Sequence, residues 1–325
     1  MSESVNPLKI YAFLALVFGS LLLSIIAVLY KVAGSELGVS AIIFSRLWIA
    51  TISLGIWGLI RKLFTDNSNN NQASKQPIPS QQQFFSFLAA PISFLTYQLL
   101  WIYSVQQISV AISTVLHYLM PIYTAILAWL FFKEKFTRAY WISLVIVIIG
   151  ILLLGIKDIQ LASNYITADI IALLSGLFHA IYLIFSEQLS KYLSTFTILF
   201  RICLVGSLCS LAIALVQHEV LFPSSIRVWI AVISLGLGCQ VLGLGCIIYS
   251  LRYFSASFVS LFLLLEPVLG GIEAYFILSE RLFFIDISAF SIILSGISLA
   301  MWDSFKSSEK NSPSLEINSL DTSNV

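Results

Sequence analysis

Apolar runs of about twenty residues alternate with short polar breaks along almost the whole chain, the length a helix needs to cross a hydrocarbon core about 30 Å thick. The pattern predicts spans near 10–30, 39–60, 84–104, 108–131, 139–156, 168–186, 194–216, 228–250, 254–278 and 285–302. Phe84 to Phe132 holds no Asp, Glu, Lys or Arg and is too long for one crossing, so the polar tetrad Ser104-Val105-Gln106-Gln107 is taken as the turn that splits it. Residues 65–83 and the tail from Ser304 are polar and compositionally biased, and are expected not to order. No small-residue cleavage site follows the first run, which is therefore read as a retained span rather than a signal peptide. The fold class is an all-α integral membrane protein with ten transmembrane helices.

Composition agrees with the pattern. Of 325 residues, 59% are hydrophobic and 10% charged, against about a quarter charged in soluble domains. A water-exposed surface cannot be made from this chain, and its net charge of +1 gives no reason to expect nucleic acid. Cys203, Cys209, Cys239 and Cys246 all fall in apolar runs, so neither a disulfide framework nor a metal site is implied. No phosphate-binding loop, zinc pair or nucleophile elbow occurs, so no cofactor and no enzymatic activity are expected. Lys and Arg settle the orientation: with the N-terminus inside, eleven fall in cytoplasmic segments and four (Lys31, Lys157, Arg227, Arg281) opposite them. Both termini are then cytoplasmic, in a cell inner (plasma) membrane.

The two halves repeat. Pro121, Glu134 and Gly150 return as Pro267, Glu280 and Gly296, since 267−121 = 280−134 = 296−150 = 146. Arg46 returns as Arg201 at an offset of 155, the longer 61–83 loop absorbing the difference. The chain divides into a first five-span repeat (1–158), a second (159–303) and a cytoplasmic tail (304–325) expected to be disordered. Five spans per half is odd, so the halves enter the membrane in opposite directions, as an inverted repeat.

Candidate chemistry lies at mid-depth. Glu266, Glu273 and Glu280 are spaced seven apart, nearly on one helix face and about 10 Å apart along it. A carboxylate at such depth faces the bundle interior, a cavity or a partner. Glu266 and Glu273 are thus candidates for a proton or cation relay or for a substrate counter-charge, or else they make structural hydrogen bonds. Arg46, Glu134, Arg201 and Glu280 form a symmetric set, expected to pair across the halves as Arg46 with Glu280 and Arg201 with Glu134, unless all four snorkel to headgroups. Pro121 and Pro267 sit mid-span, where proline frees the carbonyls of His117 and Leu263 and kinks the helix. Tyr97, Gln98, Trp101, His117, Tyr118, His179, Tyr182 and Gln240 fall at similar depth; the two histidines are candidates for solute contact or coupling, or for helix-to-helix hydrogen bonds. The run Gly236 to Cys246 is no dinucleotide fingerprint, and its small residues instead permit close backbone approach.

These residues resemble the ten-span EamA-type members of the drug/metabolite transporter superfamily, over nearly all of 9–303. Similar to that family are Lys31 with Arg46, Leu119-Met120-Pro121 leading to Lys133-Glu134-Lys135, and Leu265-Glu266-Pro267-Val268 leading to Ser279-Glu280-Arg281-Leu282. Ser24-Ile25 departs from it, standing where a Trp-Gly pair is common. The resemblance implies a five-plus-five bundle that moves metabolites by alternating access, often outward, with Glu266 serving scaffold or general coupling. The expected function is a secondary active transporter of a small organic solute, with the proton a candidate coupling ion. The alternatives are a lipid-linked or amphiphile flippase and a non-transporting assembly or sensor protein. Specificity is expected where the repeat is asymmetric: at Glu266, Glu273, His117 and His179, opposite Met120, Leu127, Leu263 and Ser24.

Overall fold

Ten helical rods, four of them interrupted, make up the computed structural model, which describes residues 7–65, 81–108, 110–159, 166–278 and 283–310. The first span is α1 (Pro7–Ser24) with α2 (Ile26–Ala33), followed by α3 (Val39–Thr65) and α4 (Gln81–Gln107). The fourth is α5 (Val110–His117) with α6 (Met120–Phe132), and the fifth is α7 (Arg138–Ile159). The second half begins with α8 (Ile166–Ser190) and α9 (Thr195–Val216). Its eighth span joins α10 (Ile226–Ile233), a π-helix (Ser234–Gly243) and α11 (Leu244–Ser250). The ninth joins α12 (Ala256–Phe262) to α13 (Leu265–Leu278), and α14 (Phe284–Lys310) is the tenth. Among the described residues there is no strand, and each apolar run expected to cross a membrane is a helix long enough to do so.

The exterior is apolar. Trp57, Trp129 and Leu208 are each at least 60% exposed, while Ser20, Arg46, Gln98, His117, His179 and Gln240 are buried. In water that arrangement is unstable; against lipid tails it satisfies both surfaces. The core is built from fully buried Leu16, Leu47, Phe94, Met120 and Tyr182.

Helix pairing respects the repeat. The fifth span packs on the tenth, the second on the seventh and the fourth on the ninth. The third packs on the sixth and the first on the eighth. Exchanging every span for its counterpart in the other half leaves this pattern unchanged. Hydrogen bonds repeat too: Ser104 Oγ donates to the Ala168 carbonyl (3.1 Å) and Ser250 Oγ to the Ala12 carbonyl (2.7 Å), with 250−104 = 146.

The tightest repeated contact is where α7 crosses α14. A Cβ on Gly150 would lie 2.6 Å from Ile293 and 3.2 Å from the Ala289 carbonyl. A Cβ on Gly296 would strike Val147 and lie 3.1 Å from the Ser143 carbonyl. The neighbours are themselves counterparts, since 289−143 = 293−147 = 146. Without a hydrophobic drive between helices in lipid, such close van der Waals approach holds the pair. Gly150→Val and Gly296→Val should each cost about 1–3 kcal/mol by overpacking, seen as a lower Tm in detergent. Gly55→Ala, whose added carbon would meet Phe200 at an ordinary 3.8 Å, should leave Tm unchanged.

The chain ends differ from expectation in one respect. Residues 304–310 continue α14 rather than forming the start of a disordered tail. Phe305 packs edge-on against Phe13 and Phe254, and Lys9 Nζ donates to the Ser304 carbonyl at 2.9 Å while sitting 5.2 Å from both the Phe254 and Phe305 ring centres. Residues 311–325, and 66–80 of the polar loop, lie outside the described residues.

Between the first two spans, Glu36 Oε2 accepts hydrogen bonds from the Ser224 amide (2.7 Å), the Ser224 hydroxyl (2.9 Å) and the Ser225 amide (3.1 Å). Hydrogen bonding from Ser225 and Ser224 holds its carboxyl down at about 2. A carboxyl lowered in the folded state fastens fully above its ordinary value of about 4.3 and releases as pH falls through the lowered one. Acidification toward pH 2 should therefore free the 219–225 loop. Amide exchange at Ser224 and Ser225, corrected for its intrinsic pH dependence, should speed up there, and Glu36→Gln should loosen the same amides at neutral pH.

Candidate functional site

Four spans are broken part-way along, and a proline stands at two of the breaks. In the fourth span α5 ends at His117, a turn covers Tyr118-Leu119, and α6 restarts at Met120. Pro121 occupies the first turn of α6, where its missing N–H costs nothing. The ninth span repeats the arrangement with a turn at Leu263-Leu264 and Pro267 in the first turn of α13. The prolines thus start new helices instead of kinking continuous ones. The Leu263 carbonyl, expected to be free, accepts from the Glu266 amide at 2.9 Å because the chain tightens into a turn there. The His117 carbonyl packs against Gly176 of α8, where a Cβ would come within 2.6 Å of it. The first span breaks at Ile25 without any proline. The eighth widens into ten residues of π-helix, a geometry that recurs at functional sites and turns side chains off the α-helical stripe.

Side chains from both halves converge on these breaks. Arg46 of α3 is buried, and its Nε and Nη2 both donate to Gln240 Oε1 of the π-helix, at 2.8 and 2.5 Å. Its Nη1 donates to the Tyr30 hydroxyl of α2 at 3.5 Å. A guanidinium has five N–H donors, so two remain beyond these three bonds, and among the described residues no carboxylate pairs with it. Glu266 stands in the first turn of α13, where the helix dipole favours a negative charge, and its Oε2 accepts from the Tyr118 hydroxyl at 3.0 Å. The Tyr97 hydroxyl, which accepts from Gln98 Nε2 at 3.1 Å, lies within electrostatic reach of both Arg46 and Glu266. Glu273, two turns along α13, accepts from Ser24 Oγ at 2.7 Å through Oε1 and keeps Oε2 buried without a partner.

An aromatic group adjoins this polar centre. The Tyr97 and His179 rings stack with centroids 4.2 Å apart and planes 5° from parallel. His179 Nδ1 lies 3.1 Å from His117 Nε2, and His117 Nδ1 lies 2.8 Å from Ser175 Oγ. Trp101 leans on His117 with ring centroids 6.0 Å apart, its buried indole Nε1 unpartnered. Tyr182 closes the group against Phe94, Tyr97 and His179.

Of the residues singled out from sequence, Arg46, Tyr97, Gln98, Trp101, His117, His179, Gln240 and Glu266 share this centre, with Glu273 beside it. Of the two charge pairs expected, Arg201 with Glu134 does not form, and Arg46 with Glu280 falls outside the described residues. Glu134 Oε2 accepts from Ser257 Oγ at 3.0 Å, at the start of α12, and withdrawal from water raises its carboxyl above the ordinary range. Arg201 instead lies over the Phe87 ring, 3.4 Å from its centre, a cation–π contact that needs no carboxylate. Arg46 uses a neutral amide, Gln240, and Glu280 lies outside the described residues. Sequence reasoning missed Tyr30 and Ser175, and named Ser24 only as a departure from the family and the counterpart of His179, because single hydroxyls in apolar runs are common and only the fold shows which groups they meet. Among the described residues, no three of His, Cys, Asp and Glu gather closely enough to hold a metal ion.

A family model described as the EamA-like transporter family matches residues 10–156 and 166–302. The pseudopaline exporter CntI of Pseudomonas aeruginosa is 26% identical over 221 residues, 68% of this chain and 72% of that protein. An uncharacterized transporter, YdfC of Bacillus subtilis, is 26% identical over 201 residues, 60% of this chain and 63% of that one. One crystal structure superposes with a TM-score of 0.74 over 93% of this chain and 99% of the other, at 15% identity, a likeness of fold alone.

Proposed function

The chain belongs to the EamA-like transporter family, and from that membership we propose that it is a secondary active exporter of a small organic metabolite, working by alternating access. The observation that carries the reading is the contact of Arg46 from one half with Gln240 of the other, with Glu266 within electrostatic reach, beside broken helices. Buried charge at that depth is expensive, and a solute path is the usual reason to keep it. Broken helices from the two halves give each half a part that can tilt while the other stays packed. The exchange-symmetric packing of the spans supports an inverted relation of the halves, the relation that lets the same movement open either side.

Glu266 is the coupling group in this reading. As a carboxylate it is held by the Tyr118 hydroxyl and the α13 dipole, within electrostatic reach of Arg46; as an acid it gives up that charge. Binding of proton and solute in alternation at one centre would let an inward proton gradient drive the solute outward. The outward direction is supported by the pseudopaline exporter among its relatives, and cytoplasmic termini by the Lys and Arg bias. The test is metabolite profiling of cells with and without the protein, followed by uptake of the retained metabolite into inside-out vesicles under an imposed pH gradient. Accumulation should require both the gradient and Arg46. Accumulation untouched by Arg46→Met would remove the polar centre from the solute path.

A further inference from the structure

The histidine pair is wired in one direction only, and the wiring starts from a serine. Ser175 Oγ donates to the Ala172 carbonyl oxygen at 2.6 Å, the shorter of its two contacts. The Ser175 proton is therefore committed to Ala172, and Ser175 Oγ can only accept from His117 Nδ1 at 2.8 Å. His117 then carries its proton on Nδ1 and offers a lone pair at Nε2. Across the 3.1 Å gap His179 Nδ1 must donate, which leaves the lone pair of His179 on Nε2. Among the described residues His179 Nε2 has no hydrogen-bond partner, yet it is not among the fully enclosed unpartnered atoms, so some of its surface stays open. Stacking on Tyr97 fixes the plane of the ring.

Resting on the transport reading above, we propose that His179 Nε2 is a preset hydrogen-bond acceptor for the solute. The solute accordingly presents an N–H or O–H donor there. The same wiring makes the pair a poor proton path. A proton taken up at His179 Nε2 could be handed through His117 to Ser175, but its last stop is the Ala172 carbonyl, a backbone group with no onward acceptor. Ser175 and His117 act through His179 as positioning residues: they fix which nitrogen is bare, and coupling is left to Glu266.

The test is nitrogen-15 NMR of histidine-labelled protein in nanodiscs, with His218→Ala removing the third histidine. His117 and His179 should both show Nε2 as bare nitrogen and Nδ1 as N–H. Ser175→Ala should spread both rings over two tautomers, and Ser175→Thr should restore the single one. Methylammonium, which has N–H donors, should move the His179 Nε2 resonance toward the protonated range, and tetramethylammonium, which has none, should not. An N–H at His179 Nε2, or an unchanged tautomer in Ser175→Ala, overturns the wiring. Equal shifts with the two cations, or none with either, overturn the donor requirement. None of these readings involves transport, so a protein that moves no solute leaves them standing, and their failure leaves the vesicle test standing.

Discussion

Glu266→Gln should abolish gradient-driven accumulation while leaving solute exchange across the membrane. The amide is close in shape to the carboxylate, can accept the same Tyr118 hydrogen bond, and sits in the same first turn of α13, so the fold and the solute contacts persist. What it lacks is a second protonation state, and without one the pH gradient has nothing to act on. Accumulation of the exported metabolite in inside-out vesicles should fall to passive equilibration, whereas counterflow of labelled against unlabelled solute should continue. Glu266→Asp, shorter by one carbon, should lie between. Binding should weaken only modestly in the Gln variant, by about 0.5–1.5 kcal/mol or roughly 2- to 10-fold, the difference between a charge-assisted hydrogen bond and a neutral one. Full gradient-driven accumulation by Glu266→Gln would move the coupling role to Glu273, whose Oε2 is already unpartnered.

Gln240→Leu should be the most damaging single change to stability. Gln240 Oε1 accepts two of the three hydrogen bonds that Arg46 makes, and Arg46 is only 2% exposed. Removing that oxygen takes two hydrogen bonds from a buried cation, each worth about 1.5–3 kcal/mol, so roughly 3–6 kcal/mol together. The double variant Arg46→Met with Gln240→Leu removes the charge as well and should recover most of the lost Tm, since a well-packed apolar pair is often neutral or better than a buried polar one. Transport should be lost in both. Equal Tm for the single and double variants would mean that Gln240 does not hold the guanidinium.

The spans were legible because a membrane imposes one strong rule, about twenty apolar residues per crossing, and the chain obeys it from Pro7 to Lys306. Pro121 and Pro267 marked two of the breaks, although proline alone could not tell a kinked helix from a new one. The break at Ser24-Ile25 carries no such mark. The π-helix was hidden for a different reason: it changes residues per turn, and a span that is apolar on every side has no stripe to reveal the change. Gly236, Gly238 and Gly243 read correctly as close approach in part, for Gly236 abuts Ile49 and the Arg46 carbonyl while Gly238 meets open space. Charge partners were the least legible. Arg201 was matched to Glu134 because opposite charges attract, yet Arg201 lies over the Phe87 ring and Glu134 takes the Ser257 hydroxyl.

The crossing of α7 and α14 has a use outside the transport cycle itself. A contact that locks two helices at Gly150 and Gly296, each against the other's backbone, is the part of the bundle least able to slide. It therefore supplies a fixed origin for measuring movement. A spin label at exposed Val145 on this post, paired in turn with labels on α4, α9 and α13, would read each span's displacement in one common frame. Distances among the mobile spans alone would mix two motions in every value.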